Sequence, residues 1–103
     1  MPSVPAATAN IIRARLKEAG IDAKVRSWNV SKAHLGSVMV YTPTYAARFT
    51  PEEIKKICQI AIDLGMTFVY NTQINPDHEM RLTGKQQWEF FVTGETVKKV
   101  ESA

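Results

Sequence analysis

The sequence predicts an α+β fold: a two-layer sandwich of order α-β-β-α-β-β, with two helices on one face of a mainly antiparallel four-stranded sheet. Three observations point there. Residues 8–19 and 50–64 carry apolar side chains at helical spacing, and each segment stops at a glycine, Gly20 and Gly65. Each helix is followed by two β-rich segments, so the halves 8–42 and 51–93 read as one unit written twice. Two amphipathic helices need one apolar sheet face to cover, and a two-layer arrangement supplies it.

The first helix is expected over Thr8–Ala19, with Ile12, Leu16 and Ala19 on its apolar stripe. Residues 1–7 read as an extended lead-in because of Pro2 and Pro5, with Ser3 or Thr8 as the cap. Ile21–Val30 alternates Ala23 and Val25 with Lys24 and Arg26, the period of a half-buried strand. Ser31–Leu35 is a turn, and Gly36–Thr42 returns as the second strand. After a loop over Thr42–Phe49 comes the strongest local signal, Thr50-Pro51-Glu52-Glu53. It combines an N-cap Thr, Pro at the first helical position and Glu at the third.

That helix should run over Thr50–Leu64, burying Ile54, Ile57, Cys58, Ala61 and Leu64. Met66–Gln73 is the third strand and Gln87–Thr93 the fourth. Either alternate set of each strand can face the helices; Met66, Phe68 and Tyr70, with Trp88, Phe90 and Val92, are the more apolar sets. The core is expected at Ile12, Leu16, Val25, Val40, Ile54, Ile57, Ala61, Phe68 and Phe90. Residues 94–103 read as a short charged tail, either a helical turn or a frayed end.

At 103 residues, with 45% hydrophobic and 22% charged residues, the chain is one domain with enough apolar content for its own core. The one cysteine, Cys58, excludes an internal disulfide, and a reducing cytoplasm is the expected setting. The N-terminus has neither a basic nor an apolar segment of the kind a secretory leader needs. No apolar run approaches the about 20 residues of a membrane span, so no membrane association is expected.

The net charge of +3 is unevenly placed. Residues 1–50 hold seven Lys or Arg against two acids, and residues 51–103 hold six against eight. A basic half attracts phosphate or an acidic partner surface, or is simply solvated.

No catalytic signature emerges. His78-Glu79 opens like a zinc-protease helix, but position 82 is Leu, so the ligand pair is missing. Gly84-Lys85 lacks the rest of a phosphate loop. Cys58 lies on a buried stripe, where a thiol is inert. His34, in a turn, has no nucleophile or acid beside it in sequence. We therefore expect no enzyme, no cofactor and no metal.

The outer sheet face is the more informative feature. With Ala23 and Val25 inward, Lys24, Arg26 and Trp28 point outward together with Met39, Tyr41 and Phe91. Large apolar groups among cations suit a protein partner or self-association. They also suit a nucleic acid: Arg13, Lys17, Lys24, Arg26 and Lys32 would meet phosphates, and Trp28 and Tyr41 would stack on bases. Alternatively the chain's own tail covers them. The polar segment Asn71–Gln86, with His78 and Arg81, is long for a hairpin connection and is the expected seat of specificity.

Three stretches carry a family resemblance: Ile11-Ile12-Arg13-Ala14-Arg15-Leu16-Lys17, Lys24-Val25-Arg26-Ser27, and Ser37-Val38-Met39-Val40-Tyr41-Thr42 before Pro43-Thr44. Residues 9–44 resemble a small domain family associated with the large polyvalent proteins of phages and conjugative elements. That family reads helix, Val-Arg-Ser strand, Gly/Ser-rich turn, then a strand with Trp. Here the turn is Ser31–Gly36 and the aromatic is Tyr41. The resemblance implies a mobile-element origin and no catalytic residues.

Overall fold

A computed structural model describes residues 3–28, 35–68 and 85–102. The elements run α1 (Val4–Glu18), β1 (Lys24–Trp28), β2 (Ser37–Tyr41), α2 (Pro51–Asp63), β3 (Thr67–Phe68), β4 (Gln87–Phe91) and α3 (Gly94–Glu101). The four strands form one sheet in the order β1-β2-β4-β3, antiparallel throughout. Each half contributes a helix, an edge strand and an inner strand, and the halves meet where β2 pairs with β4.

Both ends of the molecule depart from expectation. Val4–Ala7 is the first turn of α1 and not an extended lead-in. Ser3 caps it by accepting from the Ala6 N–H at 3.3 Å, and Pro5 fits because the first turn has no partner for its missing N–H. Thr8 is then a mid-helix residue. It stays buried because its hydroxyl donates to the Val4 carbonyl at 2.7 Å. The stretch read as a charged tail is α3. Thr93 is its N-cap, in a reciprocal box with Thr96, and not the end of a strand. Thr93 Oγ1 also donates to the Gly65 carbonyl at 2.6 Å, which fastens α3 to the end of α2.

The cap of α2 is as the sequence indicates. The Thr50 hydroxyl accepts from the Glu53 N–H at 3.1 Å, and the Glu53 carboxylate accepts from the Thr50 N–H at 2.9 Å. Its buried stripe is rotated slightly from the one expected. Ile57, Ile60, Ala61 and Leu64 are buried, spaced at i, i+3, i+4 and i+7, while Ile54 and Cys58 flank them half-buried.

The core joins Ile12 and Leu16 of α1, Ile57, Ile60 and Ala61 of α2, and the inward residues Val25, Val38, Val40 and Phe90 of the sheet. Phe68, expected in the core, is 45% exposed. It lies on the edge strand β3, so it is packed from one side, its ring edge-on to Phe90 at 5.2 Å. No helix among the described residues is long and apolar enough to cross a membrane.

Glycine is required at Gly36. Its φ is +114°, and a Cβ there would run into the Pro5 ring and lie 2.7 Å from the Trp28 carbonyl oxygen. Gly20 has φ +72° but open space around it. Gly36→Ala should therefore lower unfolding free energy by more than about 2 kcal/mol, and Gly20→Ala by only about 1 kcal/mol of backbone strain. Urea titrations compare them, and equal losses would contradict the close packing of Pro5 on Gly36. In the same assay Ile57→Ala should cost about 2–5 kcal/mol; a loss under about 0.5 kcal/mol would contradict its burial.

Candidate partner-binding face

The helices cover one face of the sheet. Cross-strand register then sets which side chains share the other: Trp28, Ser37, Phe91 and Thr67 in one row, Arg26, Met39 and Glu89 in the next, Lys24, Tyr41 and Gln87 in the third. The predicted set Lys24, Arg26, Trp28, Met39, Tyr41 and Phe91 is thus brought together on one face. It is not uniformly open. Lys24, Arg26 and Trp28 on β1 are exposed, whereas Met39, Tyr41 and Phe91 toward the sheet's middle are half-buried.

The rows are held by specific contacts. Ser37 is small and buried between Trp28 and Phe91, and its hydroxyl donates to Glu89 Oε2 at 2.9 Å. Arg26 lies over the Trp28 ring, 5.9 Å from its centroid, two residues along the same strand face. Such a pair keeps an indole and a guanidinium side by side at the surface. No ion pair links Lys24 or Arg26 to a carboxylate among the described residues.

A second cluster, with no signature of its own in the sequence, lies at the end of this face. Lys85 Nζ is 5.4 Å from the Tyr41 ring centroid and 5.3 Å from that of Tyr45, which is 70% exposed. Tyr45 enters through the turn at Pro43–Ala46, where Ala46 takes a left-handed φ of 66°. The only hint in the sequence is Pro43, which marks a turn without telling where the aromatic returns.

The nucleic-acid set does not form one surface. Arg13 and Lys17 belong to α1 in the helix layer, and Lys24, Arg26, Trp28 and Tyr41 to the opposite sheet face. Arg13 moreover has a structural task, with Nη2 donating to the Val25 carbonyl at 2.7 Å and Nη1 to Asn10 Oδ1 at 2.8 Å. Lys32, His34, His78 and Arg81 lie outside the described residues, as does all of the 71–86 segment except Lys85 and Gln86.

Gln86 is scaffold. It bonds Thr42 through backbone and hydroxyl, and its side-chain oxygen accepts from the Phe49 N–H at 2.8 Å. Two shallow grooves mark the helix layer, 390 Å³ beside Ile11, Arg15, Asp63 and Lys99, and 320 Å³ beside Ile21, Thr50, Glu52 and Lys56. Neither is lined by a histidine or cysteine. Among the described residues no three His, Cys, Asp or Glu converge as metal ligands.

Burial pushes the Cys58 thiol pKa up, which lowers its thiolate fraction at neutral pH. Alkylation by iodoacetamide at about pH 8 should run several-fold slower than for a free cysteine peptide. A faster rate would mark Cys58 as an activated nucleophile and contradict a packing role.

No family model, curated protein or solved structure matches the chain.

Proposed function

We propose that this chain is a small non-enzymatic binding module of phage or mobile-element type, acting in the cytoplasm on a partner protein through the outer face of its sheet. One observation carries the reading. Lys24, Arg26 and Trp28 stand in line on the exposed face of an edge strand, two cations leading to an aromatic, and no described carboxylate neutralises them. Trp and Arg are the residues that most often anchor protein interfaces. Beside them Met39 and Tyr41 extend the apolar surface inward. The resemblance of residues 9–44 supports the mobile-element origin.

A protein partner fits better than a nucleic acid because the cations are split between two surfaces. A phosphate backbone would need them along one track.

The test is capture by the immobilised chain and by an Arg26→Glu, Trp28→Ala double variant whose circular dichroism matches wild type. A protein retained by the wild type should fall at least roughly tenfold on the variant, since interface anchors of this kind are each worth about 2 kcal/mol or more. Equal retention would refute the face. Retention abolished by nuclease would replace the partner with a nucleic acid.

A further inference from the structure

The hydrogen-bonding phase of the sheet can be followed from its centre to its edge. Val92 N–H donates to the Gly36 carbonyl at 2.9 Å, and Thr42 N–H to the Gln86 carbonyl at 2.8 Å. These residues stand opposite one another on the β2–β4 register. In an antiparallel ladder, bonded pairs alternate with non-bonded ones. The even-numbered residues of β2, Val38 and Val40, therefore bond toward β4, and Ser37, Met39 and Tyr41 bond toward β1. Their partners Lys24, Arg26 and Trp28 turn their backbone groups inward to β2. Val25 and Ser27 turn theirs outward, to an edge that no described strand covers.

One of those outward groups is occupied. The Val25 carbonyl accepts from Arg13 Nη2, the guanidinium reaching it from α1. An exposed edge pairs with any strand it meets unless something blunts it. Arg13 does so with a bond that a competing N–H can replace and a charge that a carboxylate can draw away. Lys17 follows one turn along the same flank of α1, and Lys24 and Arg26 lie on the other side of the edge. The edge is thus bracketed by cations.

We infer that the β1 edge docks an acidic, extended segment of the partner protein, which adds as a fifth strand with carboxylates facing Lys24 and Arg26 and small apolar residues facing Val25 and Ser27. This rests on the binding-module reading above and specifies its partner. Main-chain bonds to Val25 and Ser27 give affinity, and alternate side chains give selectivity. A second copy fits less well. In the antiparallel register that bonds Val25 to Ser27 of the other chain, Arg26 stands opposite its own copy, and like charges directly opposed destabilise a strand pair.

The probe is a capped peptide of alternating Glu and Val, titrated into the full chain by NMR. Amide signals of Val25 and Ser27 and the Arg13 Nε–H signal should shift. N-methylation of the Val amides, which face β1, should weaken binding roughly tenfold or more, while N-methylation of the Glu amides should leave it unchanged. A Thr-Val peptide should bind roughly tenfold more weakly than the acidic one, and Arg26→Glu should erase that preference.

Equal loss from both methylations would overturn edge docking while leaving the face, and so the binding-module reading, to its own capture test. So would no binding at ~1 mM peptide. A peptide-free dimer that protects Val25 and Ser27 would hand the edge to a second copy, and preferential binding of oligothymidylate would hand it to a nucleic acid; each overturns the inference.

Discussion

The pairing of β2 with β4 sets the register of the whole sheet. It is the seam between the two helix-strand-strand halves. A slip of one residue there would send Trp88 and Phe90 to the far side of the sheet and empty the core beneath α2. The register is pinned at both ends, by Gly36 with Val92 and by Thr42 with Gln86. Gly36 can play that part because only glycine tolerates its φ with the Pro5 ring packed against it. Helix α1 therefore starts early for a structural reason: its first turn carries the proline that closes over the seam's end.

From that seam the phase of bonding and of side-chain direction passes outward to β1. It sets Lys24, Arg26 and Trp28 on the outer face and turns the backbone of Val25 and Ser27 to the edge. The helix layer then meets the edge through Arg13. The two sides of the sheet consequently do different work. One is filled by aliphatic groups from the helices packed on Val38, Val40, Trp88 and Phe90 of the sheet. The other carries charge next to aromatic rings, with Arg26 on Trp28 and Lys85 between Tyr41 and Tyr45. Among the described residues the buried indole N–H of Trp88 has no hydrogen-bond partner, a cost left inside the core at the seam itself.

Much of this was legible in the sequence where a signal is local. Thr50-Pro51-Glu52-Glu53 spells its cap outright, and the alternation of β1 separates Val25 from its charged neighbours. What was not legible depends on neighbours distant in sequence. Ser3 and Thr93 are ordinary polar residues until the helix behind each is known, so the sequence marks neither the first turn of α1 nor the full length of α3. Phe68 looked like core because its strand's edge position appears nowhere in the sequence. Arg13 looked like a phosphate contact because its partner, the Val25 carbonyl, is a backbone group without a sequence signature. On the candidate face, the membership of Lys24, Arg26, Trp28, Met39 and Tyr41 follows from period two on the first two strands, and that of Phe91 only once the more apolar set of its strand is turned inward. Their unequal exposure follows from strand order.

Residue-resolved amide hydrogen exchange on the dilute, peptide-free chain reads the bonding phase of the sheet strand by strand. Protection reports which backbone groups are paired inside the sheet. The Arg26 and Trp28 amides should exchange slowly, along with Val38, Val40 and Phe90, while Val25 and Ser27 exchange fast despite lying between protected neighbours. Protection of Val25 and Ser27 equal to that of Arg26 would contradict that phase, because the seam would then carry a different one and the β1 edge would not be free.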